Sequence, residues 1–147
     1  MSCIYGSRQF GTEDQGWLAH FLISAVAGRP ITLYGDGRQV RDVLYVDDLL
    51  DAFLSAAERI DSVKGEAFNI GGGPANTISL LELLDWLERR SHHPVSYGFS
   101  DWRPGDQRVY ISDITKARHT LGWAPRVTVA QGLDQLWQWI LSHPELF

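Results

Sequence analysis

This sequence is poor in lysine: Lys64 and Lys116 are its two, among 13 lysines and arginines in all. That scarcity excludes a Walker-type phosphate loop, which needs a lysine directly behind its glycines. It also excludes a Tyr-x-x-x-Lys pair, in which the ammonium lowers the phenol pKa so that it can pass a proton near neutral pH. The residues four beyond Tyr5, Tyr34, Tyr45, Tyr97 and Tyr110 are Gln9, Arg38, Leu49, Asp101 and Ile114. Nor is there a Gly-x-Gly-x-x-Gly turn for a dinucleotide, since neither Gly35-Asp36-Gly37 nor Gly71-Gly72-Gly73 completes that spacing. One cysteine, Cys3, excludes an internal disulfide, and with scattered histidines it gives no zinc spacing. His92 and His93 are neighbours, so they point apart on any regular element and read as solvated turn residues. No run reaches the roughly 18 apolar residues of a membrane span, and the start carries no basic and apolar leader pattern. The expectation is a soluble, cytoplasmic protein. A net charge of -5 argues against a nucleic-acid partner, which requires a positive field.

What is present is enough for one globular domain of mixed α/β class: 147 residues, 44% hydrophobic, with six Trp, six Phe and five Tyr to fill a core. Residues 2 to 5 predict a short strand, and the spacing of Trp17, Leu18, Phe21, Leu22, Ala25 and Val26 predicts a helix stopped by Gly28 and Pro30. Strands are expected at Ile31 to Tyr34, Val43 to Val46, Ala67 to Ile70, Val95 to Phe99 and Val109 to Ile111. An acidic N-cap at Asp47 or Asp48 opens a helix from Leu49 to Arg59. Ser79 with Glu82, and Thr128 with Gln131, have the spacing of capping boxes, the first with Ile78 and Leu83 as its hydrophobic staple. Asp113 can cap a helix closed by Gly122, and Leu133, Leu136, Trp137 and Ile140 form one face of the last helix, which Pro144 ends. Gly71 to Gly73, with no lysine behind them, read as a structural turn, and Trp123, Trp137 and Trp139 as packing residues.

Two segments carry candidate chemistry. Tyr34 to Asp48 reads as strand, glycine turn and strand, in which Arg41 either pairs with Asp42 or Asp47 or offers its planar fork to a pyrophosphate. In Trp102-Arg103-Pro104-Gly105-Asp106-Gln107-Arg108, a rigid corner can aim Arg103 and Asp106 in one direction, although an ordinary charged turn has the same composition.

Ile4-Tyr5-Gly6-Ser7-Arg8-Gln9, Tyr34 to Asp48, Phe68-Asn69-Ile70-Gly71-Gly72 and Arg103 to Asp106 occur in the order in which similar segments occur in NAD-dependent sugar epimerases and dehydratases. The chain therefore resembles these extended short-chain dehydrogenase/reductases. Asp14-Gln15-Gly16-Trp17, Gln39 to Leu44 and Asp106 to Val109 are most similar to the CDP-paratose (CDP-tyvelose) 2-epimerase branch. Ser7 departs from a common proline. The resemblance implies that residues 1–147 form the carboxy-terminal, substrate-binding domain, with an incomplete Rossmann-type sheet and a small α/β lobe. It implies that Arg41 and Arg103 grip the pyrophosphate of a nucleotide sugar, most naturally a CDP-sugar, that Asp106 meets the ribose, and that Leu33 and Tyr34 line the base pocket, with Gln15 and Trp17 opposite. In that family a hydride leaves a sugar carbon for NAD and returns to the other face. The groups for that step lie in the amino-terminal part, so no catalytic residue, NAD site or metal site is expected here. Three expectations stand: a nucleotide-sugar subsite without catalysis, a subunit complementing a separate NAD-binding half, or an oligomer-forming module without ligand. Uncovered strand edges at Ser2 to Tyr5 and Ala67 to Ile70 predict self-association as a dimer.

Overall fold

The structure, a computed structural model, describes residues 3–147. The first strand, β1 (Cys3–Tyr5), lies parallel to β3 (Val40–Tyr45), with Cys3 opposite Val43 and Tyr5 opposite Tyr45. The expected strand residue Ser2 lies outside the described residues. The amino-terminal half of β3 also pairs with β4 (Thr77–Ser79), antiparallel, and with β6 (Val109–Tyr110), parallel. A separate two-stranded parallel sheet joins β2 (Ile31–Tyr34) to β5 (Tyr97–Ser100).

Helices cover these strands. Around α1 (Trp17–Val26), α4 (Leu80–Ser91) and α6 (Val129–Ser142) lies the larger core, which includes Leu18, Leu22, Leu33, Leu83, Leu87, Leu136 and Ile140. A smaller core beneath α2 (Val46–Glu58), the short α3 (Ile60–Val63) and α5 (Thr115–Leu121) holds Leu44, Ala52, Ile114, Leu121 and Trp123. Both capping boxes form. Ser79 and Thr128 each accept from the backbone N–H three residues on, while Glu82 and Gln131 accept from the cap N–H in return. Ile78 and Leu83 both join the larger core, where a staple places them. α6 also requires a glycine: a Cβ on Gly132 would lie 2.2 Å from Tyr5 Oη, so the end of the Tyr5 side chain rests directly on the helix backbone.

Four expectations are corrected. Residues 67–70 form no strand: a Lys116 ammonium meets the Ala67 carbonyl, and the edge of β3 at Val43 is taken by the Asn76 carbonyl. β3 starts three residues earlier than expected, and Val46 is already helical. Neither Asp47 nor Asp48 caps α2; Tyr45 holds that position in extended geometry and both acids fall in the first turn, where they favour the positive end of the helix dipole. The Asp48 carboxylate instead reaches across the chain to accept from the N–H groups of Arg126 and Val127, both at 3.0 Å. β5 is displaced toward the carboxy terminus, at Tyr97–Ser100.

Candidate functional site

A cleft of about 340 Å³ opens where the ends of β2 and β3 meet α1 and the 101–108 loop. Its rim is built by glycine turns. Gly35 (φ +87°) lies flat against the Trp102 indole, since a Cβ there would sit 2.6 Å from the ring. Gly37 (φ +75°) takes a left-handed conformation that a side chain would strain. Between them Asp36 accepts from the Arg38 N–H, which closes the turn. This turn carries the chain from Tyr34 at the end of β2 to Arg41 on β3.

Arg41, Arg103, Asp106, Tyr34 and Trp17 all line this cleft. Arg41 pairs with Asp106 at 2.5 Å, not with Asp42 or Asp47, and both side chains of the pair are largely withdrawn from water. Arg103 lies over the Tyr34 ring at 3.9 Å, a cation–π contact, and pairs with Asp14 at 3.3 Å. The 103–106 corner is closed by the Asp106 N–H donating to the Arg103 carbonyl. The lining carries two guanidinium groups against three carboxylates, Glu13, Asp14 and Asp106. An incoming anion therefore meets arginines that already have acidic partners.

Two expected residues are elsewhere. Leu33 is fully buried in the larger core, because alternate residues of β2 face opposite sides and Tyr34 takes the cleft side. Gln15 does not line the cleft; its backbone closes a small loop with Thr12. Three cleft residues escaped the sequence reading. Glu13 accepts from the Tyr34 hydroxyl at 2.6 Å. Gln39 is buried, donates through Nε2 to the Tyr34 carbonyl at 2.6 Å, and leaves its Oε1 without a partner. His20 shares a helix face with Trp17 and Phe21, a signal present in the spacing, and burial pushes its imidazole below the ordinary value toward the neutral form.

The turn at Gly71 to Gly73 does not fit a dinucleotide pyrophosphate. A Cβ on Gly72 would lie 2.1 Å from the Val43 carbonyl, and the Gly73 N–H donates to the Asp42 carboxylate at 2.9 Å, so the cradle is filled by the protein's own anion. Burial pushes the Cys3 thiol up to about 11, the behaviour of a packing residue. Among the described residues no three His, Cys, Asp or Glu side chains cluster to hold a metal, and no helix is long and apolar enough to cross a membrane.

Comparison with known proteins gives this geometry a context. Residues 1–71 match the NAD dependent epimerase/dehydratase family. A CDP-paratose 2-epimerase of Salmonella typhi is 38% identical over 146 residues, covering 96% of this chain and 43% of that protein. A UDP-glucose 4-epimerase of Mycolicibacterium smegmatis is 36% identical over 130 residues, 88% of this chain and 40% of the relative. Among solved structures, UDP-glucuronic acid 4-epimerase from Bacillus cereus, in complex with UDP-glucuronic acid and NAD, superposes with a TM-score of 0.85. It is 31% identical and is matched over 99% of this chain and 44% of its own. UDP-glucose 4-epimerase from Thermotoga maritima, with UDP-glucose, gives 0.84 at 31% identity, over 97% and 45%. The chain thus spans less than half the length of these relatives.

Proposed function

Because the chain belongs to the NAD-dependent epimerase/dehydratase family, we propose that it supplies the nucleotide-sugar-binding, carboxy-terminal half of such an enzyme. The observation that carries this reading is the convergence of Arg41 from β3 and Arg103 from a distant loop on one cleft, beside an aromatic wall and a carboxylate. Guanidinium forks match the oxygens of a pyrophosphate, Tyr34 offers a face to a base, and Asp106 can accept from ribose hydroxyls. Trp17 belongs to the same wall; Leu33 and Gln15 are dropped from the set. The volume falls within the range of about 300–1,000 Å³ usual for ligand clefts. CDP is the preferred nucleotide in this proposal, on the similarity to the CDP-paratose 2-epimerase.

NAD belongs to the other half of the enzyme in this reading, which leaves this chain without catalysis of its own. Its own residues bind and orient the diphosphate; none holds or moves a proton at the sugar. A companion is suggested by α2, whose residues Leu50, Phe53 and Leu54, with Ile60 just beyond, form an exposed apolar stripe. Together with the open side of β1, that stripe suits the NAD-binding half or, without it, a second copy. Calorimetric titration with CDP, UDP, dTDP and cytidine tests the reading. Saturable binding of CDP, stronger than of cytidine and weakened by salt, is expected. Equal binding of cytidine and CDP would remove the pyrophosphate from the account.

A further inference from the structure

Resting on the reading that the cleft takes a nucleoside diphosphate, we propose that residues 12–15 form an acidic strap. The strap holds Tyr34 and Arg103, and the diphosphate displaces it on binding.

The strap is a closed unit. The Thr12 N–H donates to the Gln15 carbonyl at 2.8 Å, and the Gln15 N–H returns to Thr12 at 3.3 Å. Its ends are pinned on the start of α1. A Cβ on Gly11 would lie 2.3 Å from the His20 nitrogen, and Gly16 sits at φ +75°. Between those glycines the tip carries Glu13 and Asp14 toward the groups assigned to the nucleotide. Glu13 takes the Tyr34 hydroxyl through its carboxylate at 2.6 Å and the Arg103 guanidinium through its carbonyl at 3.2 Å. Asp14 takes the same guanidinium at 3.3 Å. The Glu13 carbonyl and the Asp14 carboxylate both meet one nitrogen, Arg103 Nη2, so the tip occupies that side of the guanidinium with acceptor oxygens of the kind a phosphate supplies.

The two arginines are held unequally, and that inequality decides which contact gives way. The Arg41–Asp106 pair has side chains 17% and 27% exposed, whereas Asp14 is 93% exposed beside Arg103 at 35%. An ion pair with one partner in water contributes little and is easily exchanged. A diphosphate brings more charge and more acceptors than Asp14, so it takes Arg103 and releases the tip. Arg41 and Asp106 stay in place as the fixed side of the cleft. Removing the strap's charge should therefore tighten binding, the opposite of what loss of a ligand contact would do.

The experiment titrates CDP into the wild type, Asp14→Asn and Glu13→Gln/Asp14→Asn. Asp14→Asn is expected to tighten CDP about threefold, the size of an exposed pair, and the double variant somewhat more. In an Arg103→Ala background Asp14→Asn should have no effect, because the cycle isolates their coupling. Weaker or unchanged CDP binding in Asp14→Asn, or an equal gain without Arg103, overturns the proposal. Hydrogen exchange without ligand supplies an independent arm: the Thr12 and Gln15 amides should exchange faster in the double variant, and unchanged rates overturn the latch. If CDP binds no form of the protein, the nucleotide reading fails and displacement fails with it, while exchange still decides whether the strap is latched.

Discussion

Replacing Arg41 by alanine tests the cleft where its geometry is most committed. The guanidinium is 17% exposed, so a phosphate bound to it gives up less to water than one bound to Arg103 at 35%. Charge-assisted hydrogen bonds contribute about 1.5–3 kcal/mol, and the drier arginine belongs near the upper end, a loss of roughly thirty- to a hundredfold in CDP affinity. Arg103→Ala belongs near the lower end, at about tenfold. Arg41→Ala carries a second penalty, because Asp106 loses its partner and turns an uncompensated carboxylate toward the pyrophosphate. Adding Asp106→Asn should recover part of the loss. Without a companion half to close over the sugar, wild-type affinity is expected near the millimolar range, about -4 kcal/mol. The assay is then nitrogen–proton correlation spectra during CDP titration, in which the wild type saturates and Arg41→Ala does not. Melting temperatures serve as the control: loss of the ion pair should cost about 1 kcal/mol, or roughly 2–4 °C at this chain length. A lower melting temperature with undiminished CDP affinity would refute the assignment and leave Arg41 as a structural partner of Asp106.

The purified chain should neither retain NAD nor turn over CDP-paratose; a nicotinamide absorbance stoichiometric with protein refutes this. Light scattering should show self-association that Leu54→Glu on the exposed stripe abolishes, and a wild-type monomer at high concentration counts against that face. Gly132→Ala, which in an isolated helix would stabilise by about 1 kcal/mol, should instead destabilise by about 1–3 kcal/mol through the clash with Tyr5, read by denaturant melts. Glu82 is held below its ordinary 4.5 by the Ser79 hydroxyl and then the Ser79 N–H, so its contribution is present above pH 4.5 and fades as the pH falls through the lower folded value. The stability gap between wild type and Glu82→Gln should narrow across that acid range, and a gap constant with pH would be the contrary result.

Local signals in the sequence were reliable where a few adjacent residues decide the outcome. Ser79 with Glu82 and Thr128 with Gln131 specify their helix starts through contacts three residues apart, and both form. β2 is read to the residue because Pro30 and Gly35 bound it. Residues 67–70 mislead because their composition suits a strand, while strand identity depends on a free neighbouring edge that no local pattern reveals. The Asp48 clip fails for the same reason: its partners Arg126 and Val127 lie far along the chain. At the cleft, arginines and the glycine corner stand out by type and spacing. The alternation that buries Leu33 beside Tyr34 is visible in the sequence, as the period-two pattern of a strand. Glu13 and Gln39 are legible only once Tyr34 has a position in space.

The contact between Gly132 and Tyr5 sets a timetable for synthesis. Tyr5 is 2% exposed, stands edge-on to Tyr45 at 5.6 Å, and has its hydroxyl against α6, where it donates to the Val129 carbonyl at 3.4 Å. The β1–β3 pair can form soon after Tyr45 leaves the ribosome, yet the surface that covers Tyr5 is made nearly ninety residues later. At about 5–20 residues per second that interval is on the order of 4–18 s. Throughout it the Tyr5 side chain lacks the helix that finally covers it. A nascent-chain chaperone that recognises exposed aromatic surface has its window here, and ribosome pausing before Gly132 should lengthen its occupancy.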